Sequence, residues 1–467
     1  MSSHLASVEG RHHFTAKVNM ATPEDNEKTA ESHERAPSYT DDNGSTPSAP
    51  PVAPSPPVKD GGARAWLQVA GSFLVFANLW GLPFAYGSFQ TFYQLDYIPE
   101  KSASTISWVG TIATFLLIVI GIFSGPLFDL GYFRAMLLTG AFVETLGIFL
   151  LSLCDKYWQI MLTQGIMVGL GNGLLYIPGL ALVGRSFKKH RSIAMALTTC
   201  GAPAGGIIYT IMFERLIDPL GFPWTIRAMG FFMLGSYLIS FPLMLWRAEN
   251  IGHLGTGQAR KLFDVTALRD VLFWSYSFSN FFIFFGYMTP FIYIAAYGQT
   301  YLDMDRSMAL MMIVIAQAAS IVGRLAVGYT AAKIGVMIPW IACGLSSGIF
   351  CIAWIGVNNQ GSFIAFAVLY GAFSGALIPL PPSVFPLVCP DPKVLGARLG
   401  MAQAIGSVAS LIGSPIAGAL AEVNAAPGET NWLGLQLFSG LVMMLGGCQL
   451  IGLWALLVKK RDIGKLI

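Results

Sequence analysis

The chain has 467 residues, of which 54% are hydrophobic and only 11% are charged, and its mean hydropathy is +0.60. Soluble domains carry about 25% charged residues, so this composition all but excludes a water-soluble enzyme. One membrane crossing needs roughly 20 apolar residues. The length therefore predicts a polytopic α-helical membrane protein with on the order of a dozen crossings.

Residues 1–62 differ from the rest of the chain. They are rich in charge and proline, and Phe14 and Tyr39 are their only aromatic residues. Such a segment cannot bury enough apolar surface to offset the entropy of ordering it, so we expect a disordered cytosolic tail. It has no basic start followed by an apolar stretch, and so no cleaved signal peptide is predicted.

Twelve hydrophobic segments follow the tail, six on each side of a more polar stretch. They lie at 65–93, 106–123, 135–153, 158–183, 193–213, 226–246, 271–296, 308–329, 336–357, 363–387, 399–421 and 433–458. Each is long enough for one membrane-spanning helix. We predict four regions after the tail. They are a six-helix bundle at 63–247, a cytosolic loop at 248–268, a second six-helix bundle at 269–458 and a short basic C-terminus at 459–467.

Lysine and arginine are unevenly divided between the two sets of predicted loops. The set that includes the N-terminus also holds Arg134, Lys188, Lys189, Arg398 and the basic C-terminus. Because cytosolic loops carry the excess of basic residues, both termini are predicted to be cytosolic. We expect the plasma membrane as the location.

Glycine and arginine residues recur at corresponding positions of the two predicted bundles. Gly125 after the second segment is matched by Gly328 after the eighth, 203 residues later, and Arg191 before the fifth segment is matched by Arg398 before the eleventh, 207 residues later. Two landmarks that repeat at nearly one interval indicate a duplicated six-helix unit, as in major facilitator transporters.

Specific residues carry a resemblance to the major facilitator superfamily. The loop after the second segment has Gly125, Asp129, Gly131 and Arg134, which resembles the superfamily's loop motif, although Leu130 stands where a basic residue is usual. The resemblance implies two pseudo-symmetric bundles that rock about a central site. It also implies that this loop, with Arg191 and Arg398, takes part in gating.

Within the superfamily the chain is similar to the monocarboxylate-porter-like branch that is abundant in fungi. The stretches that resemble it are 60–66, 186–194 and 323–328, the last containing Gly323-Arg324-Leu325. The branch implies a substrate-binding role for Arg324. Animal members couple a proton through an acidic residue one turn before this arginine and a lysine in the first helix. Here that turn offers Ser320 and the first segment has no lysine.

Few ionisable residues are predicted at bilayer depth, where they are costly and mark function. Arg324 lies inside the eighth segment, and helical spacing places Gln317 and Ser320 on its face. A guanidinium offers a planar fork to a carboxylate or another anion. Glu144, mid-way along the third segment, is the candidate for proton coupling, with a structural hydrogen bond as the alternative. By family architecture the cavity would be lined by Asn78, Tyr86, Asn172, Tyr176, Asn280, Tyr287, Tyr293 and Ser374.

These residues predict a secondary transporter that moves a small organic anion, a monocarboxylate or a similar amphipathic metabolite, by alternating access. The alternative is an efflux transporter for a secondary metabolite made by a biosynthetic gene cluster. A transporter-like nutrient sensor and an integral membrane enzyme are the rivals from other classes. We expect no catalytic residue, metal or cofactor, because no nucleotide-binding loop or metal-ligand spacing occurs. The expected partners are the organic substrate and the lipid bilayer, with a coupled proton left open. We expect no nucleic acid and a monomeric functional unit.

Overall fold

The computed structural model describes residues 62–187, 191–245, 262–423 and 430–461. The predicted tail before residue 62, most of the predicted loop at 248–268 and the last residues of the predicted C-terminus lie outside the described residues. Within those ranges every regular element is a helix, which confirms the all-α fold class.

The N-terminal half, residues 62–245, contains eight α-helices in chain order. They are α1 Ala63–Leu79, α2 Gly81–Phe92, α3 Ala103–Asp129, α4 Phe133–Leu151, α5 Tyr157–Ile160, α6 Val168–Ser186, α7 Arg191–Thr199 and α8 Gly201–Leu245. Two π-helical turns, Tyr93–Tyr97 and Met161–Met167, extend α2 and join α5 to α6.

The C-terminal half, residues 262–461, begins with the 3-10 turn Val265–Arg269 and contains seven α-helices. They are α9 Val271–Thr300, α10 Arg306–Ile334, α11 Met337–Ala353, α12 Gln360–Gly375, α13 Leu380–Val388, α14 Pro392–Glu422 and α15 Trp432–Arg461.

The described residues contain 11 helical spans that are long and apolar enough to cross a membrane, and the span Ile193–Leu245 accounts for two of the twelve predicted crossings. Inside it, Gly221 leaves the helical conformation with φ 70° and ψ 171°. Asn78 hydrogen-bonds both Tyr209, before this glycine, and Ser236, after it. A straight helix would separate those two residues by about 40 Å, so the chain reverses at Gly221.

An equivalent close approach of two helices occurs in both halves. A Cβ on Gly205 of α8 would overlap the carbonyl oxygen of Ala77 on α1, and a Cβ on Gly413 of α14 would overlap that of Phe285 on α9. Gly413 follows Gly205 by 208 residues, and Phe285 follows Ala77 by 208 residues. Small residues allow helices to approach closely in lipid, where hydrophobic contact contributes little. The equal offsets show the internal repeat in three dimensions.

The first predicted helix is broken in the middle. Pro83 has no N–H to donate, and α1 ends at Leu79 with Trp80 at φ −105° between it and α2. This broken helix and α9 are the most enclosed spans among those described. The tenth predicted helix is likewise divided, into α12 and α13, before Pro381 and Pro382.

We call the end of the molecule that carries the connections 98–102 and 301–305 the outer end, following the orientation that the loop charges predict. The opposite end is the inner end.

Candidate functional site

Arg324 is enclosed near the centre of α10 with 2% of its surface exposed. Its Nη1 donates to the carbonyl oxygen of Thr199 at 2.8 Å, and its Nε donates to Ser320 Oγ at 3.4 Å. Thr199 is the last residue of α7, in the other half, where the unpaired carbonyls of a helix end favour a cation. Nη2 has no hydrogen-bond partner among the described residues. The guanidinium is therefore held in place while one of its donor groups stays available.

Further polar atoms near Arg324 also lack partners in the described part of the chain. Gln317 is fully buried, and neither its Nε2 nor its Oε1 is hydrogen-bonded there. The Tyr287 hydroxyl is in the same condition, and Tyr287 is close enough to Arg324 for the two groups to interact electrostatically. An unsatisfied buried polar group costs about 1–3 kcal/mol, so this cluster is the candidate binding site.

Aromatic rings form the wall beside this cluster. The guanidinium carbon of Arg324 lies 5.8 Å from the centre of the Phe84 ring. Phe84 in turn packs edge-on against Phe291 of α9 at 5.4 Å, and it contacts Trp80 at 6.0 Å. The rings that continue the wall in the two halves are Tyr176, Tyr287 and Tyr370. The site thus combines one cation, an amide and a hydroxyl with flat apolar surfaces contributed by both halves.

The structure brings only some of the predicted residues to Arg324. Ser320 hydrogen-bonds the guanidinium, and Tyr287 is close enough to interact with it electrostatically. Gln317 lies two helical turns before Arg324, where it and Phe84 both border Gly206. Asn172 is buried without a partner for its amide in the described residues, and Tyr176 packs against Trp80. These two residues extend the site into the N-terminal half. Sequence reasoning missed Trp80 and Phe84, although Trp80 lies two residues after Asn78 and Phe84 two residues before Tyr86.

Other predicted cavity residues serve contacts within or between helices elsewhere. The Tyr86 hydroxyl donates to the carbonyl of Ile106 at 2.7 Å, beside a cavity of about 10 Å³. Asn280 Nδ2 donates to Gln403 Oε1 at 3.2 Å, within the C-terminal half. The Tyr293 hydroxyl donates to the carbonyl oxygens of Ala103 and Ser414. These hydroxyl and amide groups already have partners away from Arg324.

Glu144 belongs to a separate buried network in the N-terminal half. It is 0% exposed on α4, and the Tyr237 hydroxyl of α8 donates to its Oε2. Its Oε1 has no partner among the residues described. Asn78, which was predicted to line the cavity, lies in this network instead, where its Nδ2 donates to Ser236 Oγ and its Oδ1 accepts from Tyr209, each at 2.7 Å.

The loop-motif residues lie at the inner end. Gly125 is buried in α3, Gly131 has φ 93° in the turn before α4, and Arg134 is exposed. Asp129 ends α3 and Arg191 begins α7, but the side chains of both lie outside the described residues. For these positions the predicted gating role stays a prediction.

Arg398, also predicted to take part in gating, pairs inside its own half. Its Nε lies 2.7 Å from Asp264 Oδ2 and its Nη1 lies 3.1 Å from Asp270 Oδ2. Hydrogen bonds from Thr266 and Arg398 hold the pKa of Asp264 below its usual range. The triad therefore fastens the start of α14 to the segment that leads into α9.

Apart from the hydrogen bond between Arg324 and Thr199, the polar contacts described between the two halves gather at the outer end. Arg306 of α10 lies 3.6 Å from Asp96 and 3.5 Å from Asp218, and Ser307 Oγ donates to Glu214 at 2.7 Å. Ser104 Oγ donates to the carbonyl of Pro415, also at 2.7 Å. We call these the outer contacts. They close the molecule above Arg324, which is itself enclosed. None of these residues was singled out in the sequence.

A helical bundle with an enclosed, polar and aromatic site between two related halves defines a membrane transporter. A family model described as Major Facilitator Superfamily matches residues 69–359. The chain belongs to that superfamily, whose members identified below are transporters and not enzymes.

The relatives found are fungal. The MFS-type transporter dbaD of Emericella nidulans is 35% identical over 388 residues, which cover 83% of this chain and 85% of that protein. The aspyridones efflux protein apdF of the same fungus is 36% identical over 405 residues, or 86% and 80% of the two chains. The agnestins efflux protein AgnL12 of Paecilomyces divaricatus is 32% identical over 392 residues, or 84% and 87%.

Proposed function

We propose that this transporter exports an acidic, aromatic secondary metabolite across the plasma membrane, with both termini in the cytosol. Two relatives that align over most of their length are named as efflux proteins for particular metabolites, aspyridones and agnestins. This favours the efflux alternative over monocarboxylate uptake.

The observation that carries the proposal is the enclosed Arg324 with its free Nη2. Among the described residues no carboxylate forms an ion pair with this guanidinium. A buried cation without a counter-ion is costly, so an anionic substrate supplies what the site lacks. The similarity to monocarboxylate porters supports the same role for this arginine, while the aromatic wall suits a ligand larger than a simple monocarboxylate.

Transport would proceed by alternating access between the two halves. The outer contacts keep the outer end closed, and the close glycine crossings let α8 and α14 move along α1 and α9. Glu144 is proposed as the site of a coupled proton, because the ionised form of an unpaired carboxyl group is costly at that depth.

The test is metabolite export from the fungus that makes this protein. Deleting the gene should raise the ratio of retained to secreted product for at least one acidic metabolite, measured by mass spectrometry. Complementation with Arg324→Ala should fail at normal surface abundance, because a desolvated charge–charge contact contributes about 2–5 kcal/mol. Arg324→Lys should restore export in part, since it keeps the charge without the fork.

The matched control is Arg227→Ala, an arginine of the N-terminal half that stacks on Trp224. It should complement fully. Export that survives Arg324→Ala would refute the anion-binding role, and a deletion strain with unchanged secretion of every acidic product would refute export.

A further inference from the structure

A chain of buried side chains connects Glu144 to the substrate site. The Tyr237 hydroxyl donates to Glu144 Oε2, and Ser236, the residue before Tyr237 on α8, accepts a hydrogen bond from Asn78 Nδ2. Asn78 is the last residue but one of α1, directly before the break at Trp80. The connection therefore runs from α4 through α8 to the point where the first helix is interrupted.

That break bears directly on Arg324. Trp80 lies between α1 and α2, and its ring packs against Phe84, whose own ring faces the guanidinium of Arg324. The backbone at Gly81 is pressed against Gly205 of α8, so the break has little freedom except along that helix. A change in the hydrogen bonding of Asn78 would therefore displace the aromatic wall of the site.

The contact between α1 and α8 does not need Glu144. Ser236 and Tyr209 already bind both ends of the Asn78 amide and fasten α1 to both arms of α8. Glu144 adds an ionisable group to a contact that is complete without it. On α8, Tyr237 and Tyr209 are the titratable groups that face this carboxyl group. On α6 it meets Gly171, and no charged side chain approaches it among the described residues.

We propose that Glu144, Tyr237 and Asn78 form a proton-controlled relay that sets the helix break at Trp80 and so couples protonation to the substrate site. The proposal rests on the proposed function, because it assigns the coupling step of the same transporter. When Glu144 carries a proton, the bond from Tyr237 joins two neutral groups. When the proton leaves to water in another conformation, that bond becomes charge-assisted and roughly twice as strong. Tyr237 is then drawn toward Glu144, and the hydrogen bond between its neighbour Ser236 and Asn78 weakens.

Tyr237 and Asn78 are positioning residues in this scheme, and Glu144 is the proton-binding group. Tyr237→Phe should leave Glu144 in place but disconnect it from α1. Glu144→Gln should keep the bond from Tyr237 while removing the titration. Both substitutions nearly conserve volume, so the fold should survive.

The experiment uses the purified full-length protein without substrate, so that it does not depend on export. The signal is tryptophan fluorescence from about pH 5 to 8, the physiological range, with Trp80→Phe as the reference that identifies the contribution of Trp80. The wild type should show a reversible pH-dependent change that disappears in Trp80→Phe, Glu144→Gln and Tyr237→Phe. The control Glu100→Gln, in an exposed outer turn, should keep the change.

A response in Glu144→Gln equal to that of the wild type would overturn the proposal. So would a response that is lost in Glu144→Gln but kept in Tyr237→Phe, because the relay would then have no role. These outcomes do not bear on export, which the gene deletion tests separately. Where export is found, its dependence on external pH should vanish in both relay variants.

Discussion

Gln317 is expected to reduce stability while it serves the proposed site. Its buried amide has no hydrogen-bond partner among the described residues, which costs about 1–3 kcal/mol relative to an apolar side chain of similar size. We therefore predict that Gln317→Leu raises the thermal unfolding midpoint of the purified protein and lowers export. The two effects have opposite signs, as expected where a binding group is kept at the expense of stability.

The matched control for Gln317 is Gln164→Leu. Gln164 is also buried, in the π-helical turn Met161–Met167, but its Oε1 accepts a hydrogen bond from the Tyr93 hydroxyl at 2.8 Å. Replacing it leaves that hydroxyl unsatisfied, so the unfolding midpoint should fall. If both variants shift the midpoint in the same direction, the hydrogen-bond argument for Gln317 is wrong.

At the scale of helices, an added methyl group at Gly205 or at Gly413 should disrupt the packing of the two helices that cross there. A methyl group at either position would overlap a backbone carbonyl of the neighbouring helix, and backbone cannot move aside as a flexible side chain can. We predict that Gly205→Ala and Gly413→Ala each reduce the folded fraction strongly, as measured by detergent size-exclusion chromatography.

Gly235→Ala is the control for these crossings. It also lies in α8, but nothing lies within 4 Å of the position that its Cβ would take. Because alanine is preferred over glycine in a helix by about 0.8–1.0 kcal/mol, this variant should be unchanged or slightly more stable. If Gly205→Ala leaves the folded fraction unchanged, the α1–α8 crossing can widen.

The helices and their repeat could be predicted from the sequence, because apolar length and glycine spacing are properties of short stretches. The burial of Arg324 could also be predicted, since a charge inside an apolar segment is conspicuous. The positions of Asn78 and Tyr86 could not, because both residues have polar groups that either a cavity or a neighbouring helix can satisfy. Helical spacing along one segment cannot distinguish these two possibilities. The outcome depends on which side chain of another helix, such as Tyr209 for Asn78, lies opposite.

At the scale of the whole molecule, the outer contacts should control which side can reach the site. Arg306 pairs with Asp96 and Asp218 while 31% of its own side chain is exposed. A partly exposed pair contributes only about 0.2–1 kcal/mol, so these contacts can hold the outer end closed and still release it. We predict that Arg306→Gln increases opening at the outer end by a few-fold.

Opening can be measured as the reaction rate of a cysteine placed at Ser88 with a membrane-impermeant maleimide. Ser88 is 1% exposed and lies one helical turn from both Phe84, at the site, and Phe92, beneath Arg306. The rate should rise in the Arg306→Gln background, and it should not change with Arg215→Gln, because that arginine is 69% exposed and pairs only with Glu214 among the described side chains. An unchanged rate would show that apolar packing alone closes the outer end. Labelling from the cytosolic side alone would reverse the predicted orientation, because the closed end would then face the cytosol.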